Sequence, residues 1–312
     1  MSSTIIYIDG GAGRVIAAIP ALLKFHRLNP NNNWKILVPA WDSLLWSIPE
    51  LQDRTYGVDT KGLWDNIILN ATEIITPEPY KLPAYFKQEI SLVQAFDREI
   101  NKTKDHSDLS VPKLQFNKAE EKWAANTIAD VKQQQQKAKT IVIQPFGRGA
   151  TLDRADIIDT ASRSLSADAY LSLTKKLIVR YNLIFFGDPQ FQMAADTYTI
   201  KLPNTTDLRM WAAIIDCSDY FVGVDSVGQH MARATNTPGT VIFGSTFPIN
   251  TSYPDYFQII EKPGVKKYSP IRIAGLDTLL ADRINDKLSD FDEAEISDMF
   301  NKIVSHIETK VR

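Results

Sequence analysis

Cysteine is nearly missing: Cys217 is the only one in 312 residues. A lone thiol cannot close an internal disulfide, so a reducing compartment suits the chain. Cys217 ends an apolar helical pattern and reads as a buried, inert thiol. Histidine is scarce as well, and the 4 present are scattered, which leaves no spacing that suggests a metal centre. No segment approaches the ~20 apolar residues that a bilayer crossing needs. Val15–Leu23 resembles a signal-peptide core, but Asp9 and glycines precede it and no small-residue cleavage site follows, so it reads as a helix inside the fold. A dominant charge is absent too. The formal net charge is −2, so no global field draws the protein toward DNA or a membrane. Together these absences suit a cytoplasmic protein with no metal and no resident cofactor.

What remains is ordinary globular composition, 44% hydrophobic and 23% charged. Its length is large for one hydrophobic core and natural for two domains. The opening sets the class. Thr4–Ile8 is a β-rich apolar run, Asp9–Gly13 a glycine-rich turn, and Arg14–Leu28 has helical periodicity. Strand, turn and helix form the first half of a βαβ unit, and Lys35–Pro39 supplies the next strand. Further strands are expected at Arg54–Val58, Asn66–Asn70 and Glu73–Thr76, with a helix over Pro83–Asn101. Asn117 and Glu120 match a capping box. That helix fades into the polar run Lys132–Lys139, the best linker in the chain.

The same grammar then restarts. Thr140–Gly147, Leu183–Gly187, Tyr220–Val224 and Thr240–Gly244 read as strands. Between them, Ser166 caps a helix, Leu208, Trp211, Ala212 and Ile215 mark an amphipathic one, and Val227–Asn236 forms a third. Alternation of this kind implies parallel sheets covered on both faces. Two doubly wound α/β domains facing a cleft are expected, over residues 1–138 and 139–312. A last helix, Asp292–Val311, follows the second sheet and is free to cross back to the first domain.

In open α/β sheets ligands gather at the carboxyl ends of strands. Asp225 and Ser226 stand at such an end. The next amides, Val227, Gly228 and Gln229, open a helix, where unpaired N–H groups and a partial positive charge attract phosphate. Gly228 permits close approach and Ser226 offers a hydroxyl. The plainer reading of Asp225 or Ser226 is a helix N-cap.

The stretch Phe221–Pro248 resembles the glycosyltransferase family that contains the ADP-heptose:lipopolysaccharide heptosyltransferases. Asp225, Ser226, His230, Thr237, Pro238, Gly244, Thr246 and Pro248 carry the likeness, while Val227 and Ser245 stand where that family has Gly and Pro. Gly13–Pro30 and the segments around Ile141–Ala150 and Ser162–Leu177 resemble other elements of the family in the same order. The resemblance implies a GT-B fold, with two Rossmann-like domains, the acceptor on the first and a nucleotide sugar on the second. It implies metal-independent transfer with inversion, in which helix starts and cations stabilise the leaving diphosphate. Arg163 falls at the family's lysine, and Arg148 is a second candidate; a solvated loop charge is the bland reading of both. Gly11 and Gly13 let the first loop approach a ligand. Arg14 stands where the family has its basic aspartate, and an arginine is no base near neutral pH. Asp9 is the nearest carboxylate and either takes that role or braces Arg14. A glutamate expected after the "FFG" strand is missing, with Gln190 and Gln192 in its place.

The leading expectation is therefore transfer of a sugar, ADP-heptose-like, to a glycan or lipooligosaccharide hydroxyl. The alternatives are a GT-B enzyme that glycosylates hydroxylated bases in DNA, a catalytically inactive nucleotide-sugar-binding protein, and a sugar-nucleotide epimerase.

Overall fold

The computed structural model describes residues 3–153, 156–159, 161–191, 200–201, 203–268 and 289–311. The opening βα unit forms as its pattern predicts, with β1 at Ser3–Tyr7 and α1 at Ala12–Leu28. Strands β2 (Asn33–Leu37), β3 (Thr55–Tyr56) and β4 (Glu73–Ile75) complete a parallel sheet ordered β3-β2-β1-β4. Asn66–Asn70 is not a strand. Trp64–Ile68 turns helically, and only Ile67 of that turn is buried. A short apolar run does not by itself distinguish the two states.

The helix expected over 83–101 is two. Between α2 (Pro83–Phe86) and α3 (Leu92–Asn101) the chain turns at Gln88, whose φ is 63°, and Ser91 restarts it with a capping box to Gln94. Helix α4 (Lys118–Gln135) starts at the Asn117–Glu120 box but runs into the polar stretch read as a linker. Gln135 accepts from the Leu183 amide at 2.8 Å and donates to its carbonyl at 3.1 Å. That stretch is therefore tied to the second sheet.

The second sheet begins with β5 (Thr140–Gln144). An antiparallel hairpin follows, β6 (Ala150–Asp153) with β7 (Asp156–Asp159), which is mostly exposed and shows no apolar face in sequence. Then come α5 (Ala167–Leu177), β8 (Asn182–Phe185), β9 (Ile200–Lys201), α6 (Leu208–Cys217), β10 (Tyr220–Val224), α7 (Val227–Ala234), β11 (Gly239–Phe243), α8 (Pro248–Thr251), β12 (Gln258–Glu261) and α9 (Glu293–Lys310). The order is β12-β11-β10-β5-β8-β9, all parallel. Every residue of β5, β10 and β11 is buried, as expected of a sheet covered on both faces. Strand order reverses between β5 and β10, and such a switch point opens a crevice at the carboxyl edge.

Helix α9 does not cross to the first domain. It packs on α5 and β12, burying Ile296, Met299, Ile303, Val304 and Ile307 in the second sheet's own core. Its start is the Asp292–Glu295 capping box, which accounts for the acid at Asp292. The other face of the second sheet shares one continuous apolar cluster with the first domain, where α1 packs on α7. Arg209 of α6, 4% exposed, adds a polar tie. It pairs with Glu120 at 2.7 Å and donates to Ser43 O and Ser47 Oγ of the first domain, both at 3.0 Å. The two domains thus present a set spacing to whatever binds between them.

Candidate functional site

The carboxyl edges of the two sheets face each other across a cavity of about 720 Å³. Gly10–Arg14 follow β1, Trp41 follows β2, Gln144 ends β5 and Arg148 follows it, Asp188 follows β8, and Asp225–Val227 follow β10. All of them line the cavity, as do Tyr80, Arg163, His230 and Thr246. The expected residues Gly11, Gly13, Arg14, Arg148, Arg163, Asp225, Ser226, Val227, His230 and Thr246 are thereby brought together. Gly228 and Gln229 are buried behind the lining, and Asp9 stands beside it, next to Gly10.

Asp225 is 4% exposed and serves the corner itself. Its Oδ2 accepts from Thr246 Oγ1 at 2.7 Å and its Oδ1 from Gln229 Nε2 at 3.0 Å. This pins the end of β10 to the end of β11 and to the first turn of α7. Ser226 holds the N-cap position of α7 without a side-chain cap bond. The Gly228 amide donates to Gln144 Oε1 at 2.8 Å. A Cβ on Gly228 would lie 2.3 Å from that oxygen and 2.8 Å from the Phe221 ring. Gly228 is thus a packing glycine and not, as expected, one that admits a ligand.

Gly13 has the same explanation. A Cβ there would lie 2.7 Å from His230 Cδ2. The glycine lets α1 close on α7 across the domain boundary. Gly13→Ala is expected to cost about 1–3 kcal/mol of stability, as overpacked cores do. A melting curve showing no loss would contradict that reading.

The His230 Nδ1 lies 2.9 Å from the Tyr253 hydroxyl. Burial pushes the imidazole down to about 4, with Asp225 opposing and Arg163 adding to the shift. The folded state therefore resists a proton that the unfolded chain binds near pH 6.5. Stability is expected to be full above pH 6.5 and to fall by roughly 3 kcal/mol as pH drops through that window toward 4. His230→Gln should flatten this part of the stability–pH curve, and an unchanged slope would rule out the imidazole as its source.

Arg14 is 5% exposed and turned away from a phosphate role. Its Nη2 donates to Asp9 Oδ1 at 2.9 Å and to Pro77 O at 3.2 Å, and its Nη1 to Glu78 Oε1 at 3.1 Å. The guanidinium lies over the Tyr80 ring, with Phe96 beside it. This bridge fixes the first loop, with Asp9 37% exposed at its outer end. Arg163 is placed differently. Asp159 gathers the backbone amides of Ala161, Arg163 and Ser164 and the Ser164 hydroxyl, which sets the turn carrying Arg163. Arg163 lines the cavity and makes no ion pair with any described residue. Arg148 is exposed, with its guanidinium 5.9 Å from the Trp41 ring centroid across the cleft.

Sequence reasoning missed Gln144, Asp188, Trp41 and Tyr80. Three of these follow from a usable signal, since Gln144, Asp188 and Trp41 stand at or just beyond the carboxyl ends of strands that were located. Asp188 is an exposed acid directly after the "FFG" strand, beside Gln190, which also lines the cleft. Gln192 lies outside the described residues. Tyr80 had no such marker. Among the described residues no three of His, Cys, Asp and Glu gather closely enough to hold a metal ion, and no helix is long and apolar enough to cross a membrane.

Residues 103–260 match the sequence profile of glycosyltransferase family 9 (heptosyltransferase). No curated protein sequence matches the chain. Solved structures share its architecture. A family 9 glycosyl transferase from Veillonella parvula superposes with a TM-score of 0.68 at 12% identity, covering 99% of this chain and 97% of that one. The ADP-heptose lipopolysaccharide heptosyltransferase II of Escherichia coli gives 0.62 at 15% identity, covering 99% and 100%. The iron-containing dodecameric glycosyltransferase TibC of enterotoxigenic E. coli gives 0.62 at 11%, covering 99% and 80%. TibC has also been solved with ADP-D-β-D-heptose. These likenesses establish the fold as GT-B, two Rossmann-like domains facing a cleft.

Proposed function

The chain belongs to glycosyltransferase family 9, and on that footing we propose that it moves a sugar from an ADP-heptose-like donor to a hydroxyl of a glycan or lipooligosaccharide, with inversion and without a metal. The observation that carries this reading is Arg163, a cation in the cleft with no ion-pair partner among the described residues, beside the β10–α7 corner. A diphosphate laid there meets that guanidinium and the start of α7, both favourable to negative charge. Arg148 reaches the same space from the β5 loop.

Transfer then runs as one displacement. The acceptor oxygen attacks the anomeric carbon on the face opposite the diphosphate, and the carbon–oxygen bond to the diphosphate breaks. The acceptor proton passes to Asp9, and the departing charge is taken up by Arg163 and the helix start. Asp9 fits the base by position, at the outer end of the Arg14 bridge and next to Gly10 of the cleft wall. Arg14 acts as its brace, and Asp225 and Thr246 hold the donor corner without touching the donor.

Nothing among the described residues favours a DNA acceptor. In the two stretches densest in basic residues, 173–180 and 264–268, Lys176 pairs with Glu293, Arg180 with Glu308 and Lys267 with Glu261. The test is a panel of nucleotide-diphosphate sugars with and without oligosaccharide acceptors. Nucleoside diphosphate released from ADP-heptose only when acceptor is present supports the proposal. Release without acceptor indicates hydrolysis or an epimerase-type elimination, and binding without turnover indicates an inactive binding protein.

A further inference from the structure

Trp41 breaks a backbone rule. It follows β2 with φ 73° and ψ 19°, in the left-handed region that a bulky side chain adopts only under constraint. Most of the other non-glycine residues with positive φ have simpler settings; Ser162, in the turn beside Arg163, is the exception. Lys102 and Gln136 are helix C-caps, and Asn236 tolerates the conformation just beyond α7. A glycine or asparagine would sit at position 41 without strain, yet the chain places its largest aromatic there.

The indole packs one side against the shared core and lines the cleft with the other. That its face is turned to the cleft is shown by Arg148 of the opposite wall, which lies over it. Its Nε1–H is shielded from solvent and finds no acceptor among the described residues. Strain and an aromatic face turned to the cleft, with only the Arg148 guanidinium over it, thus coincide at one residue on the first domain's side of the cavity.

We infer that Trp41 is a platform on which a pyranose ring of the acceptor stacks, its C–H face against the indole. An electron-rich aromatic face suits the weakly positive C–H bonds of a sugar, and Trp41 belongs to the first domain's wall of the cleft, whereas the β10–α7 corner belongs to the second's. Trp41 on this view selects the acceptor and orients its hydroxyl toward the donor. The inference rests on the glycosyl-transfer reading, and its test separates the two.

Methyl β-D-glucopyranoside and methyl α-D-mannopyranoside are offered to the full chain in the presence of ADP, and saturation transfer from aromatic protein protons to each sugar is recorded. Wild type is expected to pass saturation mainly to the protons of one ring face. Trp41→Leu keeps apolar bulk but lacks the flat ring and should weaken binding about tenfold or more, a difference of ~1.4 kcal/mol. Trp41→Phe should retain it. ADP titration of each variant, expected to be unchanged, confirms an intact second domain. Equal sugar binding by Trp41→Leu, or none by wild type, overturns the platform. Absence of ADP binding to wild type, with Trp41-dependent sugar binding intact, overturns the donor reading and leaves the platform standing.

Discussion

Asp9→Asn is expected to lower turnover roughly 10²–10⁴-fold, the range lost when a positioned base is removed. Donor affinity and melting temperature should change little. The substitution is chosen to separate two roles. Asparagine still offers an oxygen to Arg14 Nη2, so a residue that only braces the guanidinium would be replaced without much loss. It cannot take a proton, so a base is lost outright. The surrounding bridge survives in either case, because Glu78 and Pro77 O continue to hold Arg14. Steady-state rates with saturating donor, read beside a melting curve, distinguish the outcomes. Full turnover in Asp9→Asn would remove Asp9 from the mechanism.

Arg163→Ala is expected to cost a further kind of catalysis. Removing one preorganised donor to developing charge typically lowers kcat by about 10²–10³-fold. Here the charge develops on the departing diphosphate, so kcat should fall more than the donor KM rises. Fold stability should hold, since the guanidinium of Arg163 makes no ion pair with a described residue and its turn is organised by Asp159 through backbone amides. Arg163→Lys keeps the charge and should recover part of the rate, but not the paired geometry of a guanidinium on two phosphate oxygens. Equal loss in stability and activity would assign Arg163 to the fold instead.

Much of the architecture was legible because its cause is local. Strand, glycine turn and amphipathic helix repeat along the chain, and a strand buried on both faces reads as a continuous apolar run. The residues at the ends of β1, β5, β10 and β11 were located for that reason. What escaped depends on tertiary partners. Gly13 and Gly228 read as ligand-admitting glycines, but their neighbours are His230 and Gln144, distant in sequence by a whole domain or half of one. The polar stretch at the end of α4 looks like a linker until Gln135 finds Leu183. The hairpin formed by β6 and β7 packs only Ala150 and Ile157 against the second core, so it leaves no periodicity to read. Trp41 shows only as an aromatic in a loop; its significance comes from a dihedral angle and from Arg148 on the opposite wall.

The most direct measurement is a crystal structure of the protein with bound ADP. The diphosphate is expected within hydrogen-bonding distance of the Arg163 guanidinium and beside Ser226 and Val227, on the second domain's side of the cleft. A nucleotide seated against the first domain, or lying in the cleft with Arg163 turned away from its phosphates, would contradict the proposed donor site and the transfer chemistry built on it.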